Sequence, residues 1–119
     1  MVKNSLELAK LIAKASDDKK ARDVVMMNME GLTTATDYFV VCSASSTTQV
    51  RAIADNVEDV LREQEGMEFL RKEGYREAEW VLLDYGDVVL HVFQQDAREY
   101  YALEQLWGDA DLTTYVPED

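Results

Sequence analysis

Cysteine, proline and histidine each occur once in the 119 residues, as Cys42, Pro117 and His91, and glycine occurs five times. A lone cysteine excludes an internal disulfide and fits a reducing cytosol. Around the lone histidine there is neither a Ser-His-Asp order nor metal-ligand spacing, so a hydrolytic triad and a zinc site have no visible basis. Positive charge is also scarce. Lys and Arg total 12 against 24 Asp and Glu, for a net charge of -12. That balance argues against nucleic-acid binding through phosphates, which relies on clustered cations. It suits a basic partner, or simply solubility. The charge is uneven, because Met1 to Arg22 holds six basic and three acidic residues and the remainder holds six and twenty-one. No apolar run approaches the ~18 residues needed to cross a bilayer. Lys10 and Lys14 interrupt any apolar core of a signal peptide. The expectation is a cytoplasmic chain with no membrane contact. Repeats and low-complexity segments are absent.

What is present is a chain sized for one domain, with 47% hydrophobic residues to build a core. Its organising stretch runs from Glu79 to Trp107. Trp80-Val-Leu-Leu-Asp84 and Val88-Val-Leu-His-Val-Phe93 are two short apolar runs meeting at Asp84-Tyr85-Gly86-Asp87, and an amphipathic helix follows. This pattern predicts a hairpin leading into a helix, with Gly86 able to take positive φ in the turn. A two-residue turn centred on Tyr85-Gly86 would pair Trp80 with His91, and one centred on Gly86-Asp87 would pair Leu82 with His91. Either choice sorts the side chains identically. Val81, Leu83, Tyr85, Val88, Leu90 and Val92 share one face, which should lie under helices. Trp80, Leu82, Asp84, Val89, His91 and Phe93 share the other, where function is to be sought. A three-residue loop would break this sorting.

Upstream, Asn4-Ser-Leu-Glu7 has the form of a capping box, and Leu8, Leu11, Ile12 and Ala15 follow at helical spacing, so a helix is expected over about Ser5 to Ser16. Asp23 to Met29 and Asp37 to Cys42 predict two antiparallel strands around a turn at Gly31. The continuous apolar run of the second suggests a central strand covered on both faces. Ser46-Thr-Thr-Gln49 is a second capping box, opening a helix from about Thr47 to Gln64 that Gly66 stops. Met67 to Ala78 is charged and irregular and reads as a mobile connection. Asp96 is expected to cap a third helix, with Tyr100, Leu103 and Trp107 on one stripe. Residues 1–108 would form the domain and 109–119 an acidic, flexible tail. The fold class is α/β (α+β), a small mixed sheet with helices mainly on one side.

Several residues have a chemical reading and a plainer one. Asp84 and Asp87 are suited to holding Mg²⁺, yet Asp is a common turn residue and no further acid converges on them. His91 is suited to general-base chemistry, yet a structural imidazole bonded to a neighbour is commoner. Cys42, in an apolar strand, reads as a small buried hydrophobe rather than a nucleophile. Ser43-Ala44-Ser45-Ser46 offers N–H groups and hydroxyls to an anion, yet it lacks the glycines and lysine of a phosphate loop and reads as an N-cap. Trp80, beside an acid and a histidine, is material for an interface anchor or for the core. No cofactor or metal is expected.

The segments Thr36-Asp37-Tyr-Phe-Val-Val-Cys42-Ser43, Gln49-Val50 with Ile53-Ala54-Asp55, Trp80 through Asp84-Tyr-Gly86-Asp87 to His91-Val92, and Arg98 through Tyr101 with Leu103-Glu104 to Trp107 resemble the ribosomal silencing factor, or Iojap, family. The likeness extends from the first helix to Trp107, leaving the acidic tail outside it, and departs at Ala44, where the family usually has glycine. It implies a fold related to nucleotidyltransferases without their catalytic acids, and no enzymatic reaction. It further implies a translational repressor that binds the large ribosomal subunit through its protein number fourteen, blocks joining of the small subunit when nutrients are scarce, and often forms homodimers. On this chain the docking surface would include Trp80, Asp84, Asp87, His91 and Glu104, with no sequence-specific nucleic-acid contact. The alternatives are a nucleotidyltransferase-like nucleotide-binding enzyme, with acids beside the Ser43 turn, and a general protein-interaction adaptor.

Overall fold

The computed structural model describes residues 1–117. Its elements run α1 (Ser5–Asp17), β1 (Arg22–Asn28), β2 (Tyr38–Ala44), α2 (Thr47–Glu65), β3 (Arg71–Glu73), β4 (Trp80–Asp84), β5 (Val88–Gln94), α3 (Gln95–Tyr101), α4 (Leu103–Leu106) and β6 (Asp111–Thr114). The six strands form one sheet in the order β3-β4-β5-β2-β1-β6. Only the central β2–β5 pair is parallel, and every other pair is antiparallel. The fold is therefore mixed α+β with an interior β2, as its apolar run implies.

Local chemistry sets the helix ends. Asn4 Oδ1 accepts from the Glu7 N–H, and Ser46 Oγ accepts from the Gln49 N–H, so each side chain satisfies an otherwise orphaned donor. The α2 helix stops at Gly66, whose left-handed backbone (φ +64) sends its N–H back to the last turn.

The hairpin takes the turn centred on Gly86-Asp87. Leu82 pairs with His91 and Trp80 with Phe93, while the Tyr85 N–H donates to the Val88 carbonyl. The Gly86 backbone has φ +88, and its N–H is held by Asp84 Oδ1. The faces sort as the pleat requires. Val81, Leu83, Tyr85, Val88, Leu90 and Val92 are all buried in the cluster containing Leu8, Ile12, Val50, Ile53, Val57 and Leu61 of α1 and α2. On the opposite face, Met27, Met29, Val41, Phe93 and Leu103 form a second cluster, with Phe39, Trp80 and Trp107 packed against it.

Three segments differ from the sequence reading. Within the connection expected to be mobile, Arg71–Glu73 forms β3 on the outer edge of β4. Its neighbourhood is tied to α2 through Lys72–Glu58, the Tyr75 hydroxyl on Asp55, and Arg51 on the carbonyls of Tyr75 and Arg76. A charged three-residue edge strand carries no apolar periodicity for a pattern search to find. The expected third helix is broken at Ala102, which takes φ +46, so Leu103 and Trp107 belong to α4 and its C-cap. Asp96 lies inside the first turn of α3, whose N-cap is Gln94. Tyr100 is 82% exposed while Leu103 is buried, so the two do not share one stripe. Part of the segment expected to trail free, Asp111–Thr114, pairs with β1 as β6. Residues 118–119 of that segment lie outside the described residues.

Candidate functional site

The face of the sheet away from α1 and α2 is incompletely covered, and Trp80 stands at its edge. The residue is half-buried. Its indole packs against both Phe93 and Tyr101, each with ring centroids 4.8 Å away, and those two rings lie 6.3 Å from each other. Offset and tilted aromatic contacts of this kind add to the area that the rings bury. The indole N–H donates to His91 Nδ1 at 3.0 Å. Since Nδ1 accepts, the imidazole is neutral and carries its proton on Nε2. That Nε2 is buried and meets no acceptor among the described residues. The Phe39 ring crosses the imidazole with centroids 4.6 Å apart. His91 is only 4% exposed, and burial pushes its pKa down to about 4. It is the hydrogen-bonded structural imidazole of the plainer reading.

Beside Trp80, a shallow cleft of about 230 Å³ is lined by Glu73, Gly74, Trp80 and Leu82. Its wall depends on glycine, because a Cβ on Gly74 would overlap the Trp80 carbonyl oxygen and would have to sit at φ +78.

The five residues that the resemblance points to fall in three places. Trp80 and His91 touch. Asp84 and Asp87 lie at the far end of the hairpin, four and more residues from Trp80, or ~13 Å along the strand for Asp84. The Asp84 side chain is 24% exposed; Oδ1 holds the Gly86 N–H and Oδ2 lies 3.8 Å from the Arg71 guanidinium. Asp87 is exposed, and its backbone carbonyl anchors the start of β2 by accepting from Asp37 and Tyr38. Glu104 is elsewhere again. Its Oε2 pairs with Arg98 at 3.0 Å, in a partly buried contact. Arg98 in turn donates to the carbonyls of Arg22 and Asp23 and to the Ser43 hydroxyl.

That network explains a local irregularity. The β1–β2 register slips by one residue between Arg22 and Val25, and Asp23 takes φ +49 there. The carbonyls exposed by such a bulge need donors, and the Arg98 fork supplies them. Ser43 is thereby engaged in structure, and Ser46 in capping α2. Cys42 is fully buried, which pushes its thiol up to about 12 and leaves it unreactive at neutral pH. Among the described residues, no group of three or more His, Cys, Asp or Glu side chains is placed to hold a metal ion.

Periodicity placed Leu82, half-buried beside Trp80, on this face, but did not single out Tyr101, which is 47% exposed and borders Trp80. The phase of α3 brings Tyr101 rather than Tyr100 against Trp80, and the αL alanine that ends this helix has no sequence signature.

A family model described as "Ribosomal silencing factor during starvation" matches residues 2–119, so the match takes in the acidic C-terminal segment as well. The chain is 53% identical over 104 residues to a ribosomal silencing factor RsfS of Halalkalibacterium halodurans, covering 87% of this chain and 88% of that one. It is 48% identical over 109 residues to a ribosomal silencing factor RsfS of Bacillus subtilis, covering 92% of each. A crystal structure of a Chromobacterium violaceum protein superposes with a TM-score of 0.86 at 35% identity, covering 97% of this chain and 95% of that one. The family is one of ribosome-associated regulators of translation, not of enzymes, which removes the nucleotidyltransferase alternative. This chain belongs to the ribosomal silencing factor family.

Proposed function

We propose that the protein represses translation by binding the large ribosomal subunit through its protein number fourteen and physically excluding the small subunit, under nutrient limitation. In this reading it acts in the cytoplasm and can form a homodimer. The observation that carries the reading is Trp80: a large aromatic, half-exposed on the open face of the sheet, held in one orientation by His91. Aromatic anchors of fixed geometry dominate protein interfaces because little side-chain entropy is lost on docking. Leu82 and Tyr101 extend the apolar surface around it. Asp84 and Asp87 would meet cations of the partner at the turn end, with Arg71 displaced from Asp84. Glu104 contributes through the Arg98 network and His91 from behind the indole, so neither needs to touch the partner. A net charge of -12 favours encounter with a basic ribosomal protein and makes the on-rate salt-sensitive.

Co-sedimentation with purified large subunits tests this. Replacing Trp80 with alanine should weaken binding by ~2 kcal/mol or more, about thirty-fold. Unchanged binding by a folded Trp80→Ala variant would remove the anchor.

A further inference from the structure

The cations of this chain divide by environment, with Arg76 the exception. After residue 22, Arg62, Arg71, Lys72 and Arg98 are ion-paired to Asp59, Glu73, Glu58 and Glu104. Arg51 is spent on the carbonyls of Tyr75 and Arg76, and Arg76 is the one exposed cation of this part with no ion pair among the described residues. Before residue 23, Lys14 reaches Asp18 only at 3.9 Å, and Lys3, Lys10, Lys19, Lys20 and Arg22 are exposed with no ion pair among the described residues. Three of these five fall together at the junction of α1 and β1.

The backbone of that junction is pinned. The Gln49 side-chain amide donates to the carbonyls of Lys19 and Lys20 at 3.3 and 3.0 Å, and Arg98 donates to the carbonyl of Arg22. Lys20 is held at φ +66. The main chain is thus fixed while three cationic side chains remain in solvent, so engaging an anion would order side chains only. The position is also defined. Arg22 opposes Ser43, Ser43 lies beside Phe93, and Phe93 opposes Trp80. One cross-strand row therefore joins the cluster to the aromatic anchor, with three strand spacings giving ~14 Å.

We propose that Lys19, Lys20 and Arg22 form a second contact surface, which takes the phosphate backbone of ribosomal RNA next to the protein that Trp80 engages. This rests on the ribosomal docking described above. A ribosomal subunit presents RNA phosphates alongside its proteins. A chain at -12 is repelled by it unless its cationic sector faces the phosphates. The carboxylates closest in sequence are Asp17, Asp18 and Asp23. These three carboxylates balance the cluster itself, and counting Lys10 and Lys14 of α1 brings positive charge to an excess of two, against a strongly acidic remainder, making this the sector that RNA can approach with least repulsion. The contact positions the protein without reading sequence.

The test compares wild type, Trp80→Ala and the triple variant Lys19→Gln/Lys20→Gln/Arg22→Gln, using salt-washed large subunits and, separately, the isolated ribosomal protein number fourteen. Melting curves verify folding, and a Lys19→Gln/Lys20→Gln variant leaves β1 intact as a second probe. The triple variant should bind the intact subunit about ten-fold more weakly at low salt. Its plot of log affinity against log salt should be shallower by about 2, since each phosphate contact contributes about 0.7–0.9 to the slope. Binding to the isolated protein should not change. Wild-type affinity and slope for the subunit in the Gln variants would overturn this inference while leaving the Trp80 reading intact. Equal losses toward the isolated protein and the subunit would also overturn it, because the cluster would then touch protein. If wild type does not bind the subunit, both readings fall.

Discussion

Trp80 and His91 are joined by an indole N–H donating to Nδ1 at 3.0 Å, across strands β4 and β5. The bond satisfies the polar atom of the indole internally, so Trp80 offers a partner its apolar ring. It also fixes the imidazole tautomer. Asparagine Oδ1 occupies nearly the position of Nδ1, so His91→Asn should retain most large-subunit binding, whereas His91→Leu should lose about ten-fold. Indole N–H resonances provide a second readout. The Trp80 signal should stay shifted and protected from exchange in the Asn variant and become solvent-like in the Leu variant.

The same histidine makes stability depend on pH. Its folded pKa is depressed to about 4, against 6.5 unfolded, so the unfolded chain binds more protons between these values. The contribution is fully present above pH 6.5 and is lost as pH falls toward 4. Between pH 6.5 and 5, before most carboxylates titrate, the loss should approach ~2 kcal/mol. Urea midpoints across that range measure it, and His91→Asn should flatten the curve.

Gly74 is predicted to be intolerant of any side chain. A methyl there meets the Trp80 carbonyl oxygen at a left-handed backbone, so neither the loop nor the strand can relax cheaply. Gly74→Ala should cost ~2 kcal/mol or more in chemical denaturation and should displace Trp80. At Gly31, with φ +83 and open space around it, the same change should cost only about 1 kcal/mol.

Arg98 holds the β1 bulge and Glu104 at once. Arg98→Ala should destabilise by ~3 kcal/mol, because it leaves the carbonyl of Asp23 and the Glu104 carboxylate without their donor. Arg98→Lys should rescue little, since an ammonium cannot span the three directions that the guanidinium fork serves. Thermal melts of the two variants check both statements.

What the residues reveal on their own follows from how each feature is encoded. The hairpin, its face sorting and the ends of α1 and α2 are written in period-two alternation and in Asn4, Ser46, Gly66 and Gly86, all local signals. The strand β3 is written in Arg71-Lys72-Glu73, and β6 in Asp111-Leu-Thr-Thr114, whose four residues are all exposed. Edge strands like these are defined by the neighbours they pair with, not by their own composition. The pairing of Glu104 with Arg98 depends on the break at Ala102. The separation of Asp84 and Asp87 from Trp80 is legible from spacing. That His91 acts on Trp80 from below, rather than beside it on the surface, required the register and the burial.

The most direct measurement is the rate at which large and small subunits join, followed by light scattering with saturating protein present. Joining should be strongly suppressed by wild type and restored toward its normal rate when Trp80→Ala is added instead. Subunits that join at their normal rate with saturating wild-type protein would contradict the account.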